Sequence, residues 1–496
     1  MISKEYKKVL FCVPPFEFNA RMEDAGTITK FPCMPTTGIG YLSEMLTKHG
    51  IDNYVFDFRL GYGSKDFLNR INELKPDLIG VGMLTYRHDL AYDVVKKVKK
   101  FSPTTKIVAG GPHVSLYKSK VLEGCDVDFA VKFEGEHTIV ELCNGVDPKE
   151  IKGLIYKDGQ HIVENEDRLF IKNLDEIPFP HYGKFELGHY IKMIPIITSR
   201  GCPYNCIYCT TGSMGKKYRG KSAENVVSEL KYWHNKGYRN FDFLDDNFTM
   251  LPERVHRICD LVEKNNLVDM KIHCSNGIRT DRTNKDLLKR MQDIGFKYVC
   301  FGVEAGNNKI LKTIKKGVTI ETQEQAIKNA CELGFDVGLF FMVGHPGETT
   351  ADVEDSIRLA LKYPVALAKF LNVIPYPGTE LFEWIKKNNY FVGEWHEKLT
   401  YAMHLDDDPF FETPELPLKE RKKLLNRTAK VWVEVKKRYV KRKLERRYGA
   451  LGNIIATILY LDPIYGRLWR SYNEKEHIRK LVNLMMKILG VRIVHF

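Results

Sequence analysis

The stretch Arg200-Gly-Cys-Pro-Tyr-Asn-Cys-Ile-Tyr-Cys209 decides how the rest of the chain is read. It sets Cys202, Cys206 and Cys209 in a C-x3-C-x2-C spacing, three thiols on one short loop. Thiolate sulfur is a soft ligand suited to iron–sulfur clusters, which normally take four cysteines. Three cysteines leave one iron of a 4Fe–4S cluster open, and an open position on a catalytic metal is where a substrate or cofactor binds. Structural zinc is the competing reading. Zinc loops usually join C-x2-C to a second such pair or to histidines, and the neighbouring sequence holds neither.

With Tyr208 as the aromatic residue before the third cysteine, the loop reads C-x3-C-x-aromatic-C. In this it resembles the signature of radical S-adenosylmethionine enzymes. The resemblance implies that the open iron chelates the amino and carboxylate groups of S-adenosylmethionine. It also implies that electron transfer from the cluster cleaves the sulfonium and releases a 5′-deoxyadenosyl radical.

Length and composition set the frame. A chain of 496 residues exceeds one ordinary domain and predicts two to four. With 44% hydrophobic and 28% charged residues it is globular with ample core. The start, Met1-Ile-Ser-Lys-Glu-Tyr-Lys-Lys8, runs straight into a strand-like segment and reads as no signal peptide. No apolar run is long enough for a bilayer span. Apart from the triplet, the 11 cysteines are scattered, which fits a reducing cytoplasm better than a disulfide framework. The formal charge of +13 is uneven: residues 411–496 carry 21 Lys and Arg against 8 Asp and Glu, and the remainder is neutral. That excess speaks to a partner rather than to the fold.

Residues 1–145 alternate short apolar runs with amphipathic stretches. Strands are predicted at Val9–Val13, Asn53–Asp57, Asp77–Met83, Lys106–Ala109 and Val127–Val131, with helices at Gly40–His49 and Asp89–Lys100. Such alternation predicts a doubly wound parallel sheet, Rossmann-like, with ligands beyond the carboxyl ends of its strands. Those ends carry Thr85-Tyr-Arg-His88, Gly110-Gly-Pro-His113 and Phe133-Glu-Gly-Glu136. By residue type each is a turn or a ligand loop, paired glycines allowing close backbone approach. Together with Pro35-Thr-Thr-Gly-Ile-Gly-Tyr-Leu42, they resemble the cobalamin-binding domain that precedes the radical domain in one large subgroup. That resemblance assigns Thr85, Tyr86, Arg87, Gly110, Gly111, Pro112, His113, Glu134, Gly135 and Glu136 to cobalamin. The cobalt-ligating D-x-H-x-x-G pattern is absent, so the corrinoid is expected with its own base displaced and Thr85–Arg87 facing the lower side of the cobalt. His113, as a lone residue, reads as a turn or supporting group rather than a metal ligand.

Residues 146–190 read as a linker, with a hairpin near 152–168 and the proline-broken Leu174-Asp-Glu-Ile-Pro-Phe-Pro180. Over residues 191–400, strands are predicted at Ile194–Thr198, Asn240–Leu244, Lys271–Cys274, Lys297–Val303, Asp336–Val343 and Ala368–Ile374. Helices at Ala223–Asn235 and Pro252–Asn265 are among those between them. Six βα units predict a partial (β/α)6 barrel with its active groups at the strand ends. The resemblance carries S-adenosylmethionine contacts onto those ends. Asp245, Asp246 and Asn247 follow the second strand, where a carboxylate beside an ammonium makes a charge-assisted bond; a helix cap before Pro252 is the other reading. Arg279 follows the third strand, as carboxylate clamp or rim salt bridge. Glu304 lies in Gly302-Val-Glu-Ala-Gly306 after the fourth, and Gly344 opens Gly344-His-Pro-Gly-Glu348 after the fifth. Tyr208 joins them through its place in the cluster motif. Cys259, Cys274, Cys300 and Cys331 form no close pair and read as buried small residues rather than a second cluster.

Residues 401–496 are a basic helical region. Leu418–Arg447 is helical in character, Val431-Trp-Val-Glu-Val435 interrupts its charges, Ala450–Leu461 is apolar but short, and Leu481–Leu489 predicts another amphipathic helix. A helical cap with a solvated basic face is the first reading; an anionic lipid surface and nucleic acid are the others.

The sequence is thus expected to encode an α/β radical S-adenosylmethionine enzyme with a cobalamin domain, working with a 4Fe–4S cluster, S-adenosylmethionine and cobalamin. Cobalamin-dependent C-methylation of an unactivated carbon is the activity the resemblance favours, and the basic tail points the expected substrate toward a lipid or other hydrophobic molecule. The expected partner is an electron donor of flavodoxin or ferredoxin type. The expected location is cytoplasmic, with peripheral membrane contact through the basic region and no nucleic acid. The rivals are a radical cyclase or carbon–carbon coupling enzyme of the same fold and a peptide or protein C-methyltransferase. Further off lie a transfer RNA methylthiotransferase, whose first-domain cysteines and terminal β-barrel do not match, and a cobalamin sensor.

Overall fold

A computed structural model describes residues 5–16, 32–401 and 408–459. The predicted amphipathic helix Leu481–Leu489 lies outside the described residues. The chain divides into two compact units: Met1–Asn276 with Asp293–Phe296 and Ile374–Met403, and Gly277–Gln292 with Lys297–Val373 and His404–Phe496.

The first unit opens with the predicted doubly wound sheet. Strands β1 (Lys8–Val13), β2 (Asp52–Asp57), β3 (Leu78–Gly82), β4 (Lys106–Gly110) and β5 (Phe129–Val131) stand in the order β2-β1-β3-β4-β5, all parallel. Parallel strands are covered on both faces and read as continuous apolar runs. Val9–Val13 is buried throughout, and Leu10, Ile79, Ile107 and Ala130 share one core with Val95 from helix His88–Phe101. The hairpin expected near 152–168 forms as β6 (Leu154–Asp158) and β7 (His161–Glu164). It pairs antiparallel onto β5 and so completes the first sheet at seven strands instead of standing apart in a linker.

The same unit then holds three parallel strands, β12-β11-β8: β8 (Ile194–Ile196), β11 (Asn240–Phe243) and β12 (Lys271–Ile278, all but its last two residues). Between β8 and β11 lies a two-stranded ribbon that the periodicity does not predict, β9 (Ser199–Arg200) against β10 (Arg219–Gly220). Two residues per strand are too few to show an alternation. Helix Ala223–Asn235 starts where predicted because Ser222 Oγ accepts the Asn225 N–H at 3.1 Å. Strand β12 runs four residues past its predicted end, so Asn276, Gly277 and Ile278 are strand and only Arg279 follows it.

The second unit contains β13 (Phe296–Glu304, all but its first residue), β14 (Asp336–Val343) and β15 (Leu367–Asn372), parallel in that order. Its helices include Ile320–Glu332 and Thr350–Lys362, the latter closed by a capping box between Thr349 and Asp352. The basic C-terminal region enters this unit over Leu418–Leu459 as two helices that meet at the non-helical Gly449 (φ 57°). It packs over β15 and helix Thr350–Lys362, burying Leu425, Val431, Val435 and Leu444. Its charges are partly used on the same unit: Arg427 pairs with Glu354 at 2.5 Å and Lys443 with Asp336 at 2.8 Å. In the described residues this is the helical cap of the first reading. No described helix is long and apolar enough to cross a membrane.

Candidate active site

The cysteine loop leaves β9 at Arg200 and holds no regular structure from Gly201 to Tyr208 apart from a turn. Its anchors are specific. The Gly201 N–H donates to Asp246 Oδ2 at 3.0 Å, the Ile207 carbonyl accepts the Leu381 N–H at 2.9 Å, and the Cys209 N–H closes on the Cys206 carbonyl at 3.1 Å. Gly201 has φ +81°, and a Cβ there would fall 2.6 Å from the carbonyl oxygens of Gly215 and Lys217. Cys202, Cys206, Tyr208 and Cys209 are half-buried, whereas Cys12, Cys33, Cys125, Cys143, Cys259, Cys274 and Cys300 are buried. Only Cys331 among the rest is half-buried too, and burial pushes its thiol up to about 12. The loop thus presents the one group of accessible thiols close in sequence. Among the described residues no three His, Cys, Asp or Glu side chains are already gathered as a metal cage. The fit to iron rests on the donor set, three soft thiol ligands on a pinned loop.

A cavity of about 680 Å³ lies in the same unit. It opens where the strand order reverses between β1 and β3, the place where doubly wound sheets bind ligands. Val13–Phe16 after β1, Met83, Leu84, Tyr86 and Arg87 after β3, Gly110–Pro112 after β4 and Phe133–Glu136 after β5 line it. The start of helix Thr37–Lys48 closes another side. Part of its wall is Ile197, Ser199 and Arg200, which lead into the cysteine loop, with Leu244 and Asp246, of which Asp246 pins the loop. A Cβ on Gly38 or Gly110 would meet no atom within 4 Å, so bare backbone faces the space. Room, apolar lining and exposed backbone fit a large, flat macrocycle.

Eight of the ten residues assigned to cobalamin line this cavity; Thr85 and His113 do not. Both are buried. The His113 ring stacks on His88 at 4.4 Å and its Nε2 meets the Tyr92 hydroxyl at 3.1 Å. Burial, with His88 adding, pushes its pKa down to about 3, so it is a neutral packing group. Glu134 and Glu136 reach the cavity but direct their carboxylates at arginines, Glu134 at Arg200 and Arg219 and Glu136 at Arg200.

The seven residues assigned to S-adenosylmethionine divide between the units. In the first, Tyr208 stays in the cysteine loop and Asp246 faces the cavity. Asp245 acts neither as cap nor as open carboxylate. It is buried and accepts from the Thr198 N–H (2.6 Å), Thr198 Oγ1 (2.5 Å) and Ser199 Oγ (2.6 Å), tying β11 to the strand before the cysteines. Desolvation raises its pKa, and Arg254 opposes the shift. Asn247 is buried with its Oδ1 unpartnered, an acceptor suited to an ammonium or hydroxyl. In the second unit, Arg279 makes the rim salt bridge, to Asp281 at 2.9 Å. Glu304 (φ 68°) pairs with Lys316 at 2.8 Å. The Gly344 N–H donates to Glu348 at 2.5 Å, and Gly344 packs so tightly on Arg421 that a Cβ would overlap its guanidinium.

Sequence reasoning missed Arg200 and Arg219 and the cavity wall before the cysteines. Arg200 adjoins the motif and could have been found there; Arg219 offers no local signal, because only the ribbon brings it to Glu134.

A pinned three-cysteine loop beside a doubly wound ligand cavity is the arrangement expected of a radical enzyme joined to a corrinoid-binding domain. Residues 196–360 match the Radical SAM superfamily and residues 26–143 the B12 binding domain. An uncharacterized methyltransferase of Pyrococcus horikoshii is 31% identical over 432 residues, covering 85% of this chain and 91% of that protein. The chain belongs to this family of B12-binding-domain radical S-adenosylmethionine enzymes, and its cofactors are a 4Fe–4S cluster, S-adenosylmethionine and cobalamin. The anaerobic magnesium-protoporphyrin IX monomethyl ester cyclase of Cereibacter sphaeroides is 27% identical over 371 residues, 71% of this chain and 60% of that one. The fold is also that of the radical S-adenosylmethionine methyltransferase TsrM from Kitasatospora setae, solved with cobalamin and a [4Fe-4S] cluster. The TM-score is 0.66 at 17% identity, over 77% of this chain and 78% of that one.

Proposed function

We propose that this enzyme methylates an unactivated carbon of a hydrophobic substrate, with a lipid as the first class to test. The observation that carries the reading is the shared wall: Ser199, Arg200 and Asp246 line the cavity of the doubly wound sheet and also lead into or hold the cysteine loop. When bound, the cluster with S-adenosylmethionine supplies a hydrogen-abstracting radical and the corrinoid supplies a transferable methyl group. The chain's own residues bring the two into reach of one carbon. Asp246 and Gly201 fix the start of the cysteine loop. Gly38 and Gly110 would let backbone approach the macrocycle, and the apolar lining, Val13 and Phe16 among it, would keep water from a radical that would otherwise be quenched. Cys202, Cys206 and Cys209 would hold the irons. The methyltransferase relative supports methyl transfer; the basic residues that the C-terminal cap leaves exposed, Lys419 and Lys430 among them, support a substrate drawn from an anionic lipid phase. A donor of flavodoxin or ferredoxin type would supply the electron.

A second reading is ring closure without methyl transfer, favoured by the likeness to the Cereibacter cyclase. One experiment separates them: anaerobic reconstitution with hydroxocobalamin and dithionite, then incubation with cell extract and methyl-labelled S-adenosylmethionine. Label in the lipid fraction is expected. Label only in protein makes this a peptide or protein C-methyltransferase, and 5′-deoxyadenosine with no labelled product leaves the cyclase or coupling reading.

A further inference from the structure

Arg200 sits two positions before Cys202 and is gripped from the corrinoid domain. Its Nη1 donates to Glu134 at 2.9 Å and its Nη2 to Glu136 at 2.6 Å, while its guanidinium lies 4.9 Å from the Tyr41 ring centre. The guanidinium is mostly withdrawn from solvent, 19% exposed, and Glu136 is 5% exposed. Glu134 has no capacity to spare: its two oxygens also accept from Arg219 Nη1 and from the Ile171 N–H at 2.7 Å. Such a carboxylate cannot also serve a corrinoid amide. Nor is there slack between clamp and cluster loop, because Gly201 is fixed by its bond to Asp246 and by the two carbonyls that leave no room for a Cβ.

We propose that Arg200 is a positioning residue for the cluster. Held by Glu134 and Glu136, it fixes the first cysteine of the loop and sets the charge beside it, so these two carboxylates serve the cluster rather than the corrinoid. The proposal rests on the cluster reading of the loop and is independent of methyl transfer and of the substrate. Two arginines and two glutamates balance in this network. Removing one carboxylate charge leaves a cation uncompensated near the iron, and added positive charge raises a cluster's reduction potential.

The test uses full-length protein reconstituted anaerobically with iron and sulfide, titrated with dithionite and followed by electron paramagnetic resonance, in the parent, Glu136→Gln, Glu134→Gln and Arg200→Lys. Both glutamine variants are expected to move the midpoint potential to a more positive value. Lysine keeps the charge but loses the two-armed fork, so Arg200→Lys is expected to lose iron to a chelator faster than the parent. A parental potential in Glu136→Gln with corrinoid affinity lowered about tenfold or more would put the carboxylate on the cofactor and overturn the proposal. If the glutamine variants take up no iron, Arg200→Lys decides: parental iron retention there also overturns it. A parent with no reducible cluster sinks the cluster reading and the clamp together, whereas failure of methyl labelling leaves this readout standing.

Discussion

Gly201 in the first unit and Glu348 in the second show how single residues set local terms. Gly201 is left-handed and walled in by two backbone carbonyls that cannot yield as a side-chain tip would. Gly201→Ala therefore has to shift the loop, at a cost of roughly 1–3 kcal/mol for the backbone strain alone. The expected result is a folded protein that takes up much less iron, read as iron per chain and visible absorbance after reconstitution; parental values would contradict the account. Glu348, in the second unit, is buried, and desolvation pushes its pKa up to about 7 against the bonds from Gly344 and His345 and the charge of Arg421. Its folded pKa lies above its ordinary value of 4.5, so the folded state holds the proton to higher pH than the unfolded chain does. Its contribution to stability is full below that ordinary value and is lost as pH rises through about 7. The fall in thermal midpoint between about pH 5 and about pH 8 should thus be smaller in Glu348→Gln than in the parent; an identical fall would refute the shift.

Among elements, the C-terminal helix changes meaning once packed. By charge count it is a surface for some anionic partner. In the second unit its apolar side covers β15 and helix Thr350–Lys362, with Leu444 fully buried and Arg421 drawn in against Asn372 at 2.6 Å. Leu444→Ala is expected to cost about 2–5 kcal/mol, the range for emptying a packed leucine site. Urea unfolding followed at the far-ultraviolet helix signal checks it, and a change below about 0.5 kcal/mol would mean that the helix is not packed there. The short elements are the ones that sequence reading passes over. The β9–β10 ribbon spans two residues a side, yet it alone brings Arg219 beside Arg200.

For the molecule as a whole, corrinoid and iron are expected to load at sites whose floors are separate. Gly110 ends β4, faces the cavity, and has open space where a Cβ would stand. Gly110→Leu should fill that space and weaken hydroxocobalamin binding about tenfold or more, read by absorbance titration, while iron content stays parental. Loss of both together would contradict separate loading of the two cofactors.

Much of this was legible from the chain alone. The five parallel strands of the first sheet, the six of the radical domain and the helix starts at Ala223, Pro252 and Leu418 follow from apolar runs, caps and proline placement, which are local. So does the cysteine spacing, because one loop carries all three thiols. What only the folded chain decided is which polar groups spend their capacity on each other: Asp245 on Thr198 and Ser199, His113 on Tyr92, Glu134 and Glu136 on Arg200 and Arg219. Those partners lie up to 85 residues apart. A residue type states what a side chain can bind, but burial and the nearest countercharge choose its partner, and both come from tertiary packing.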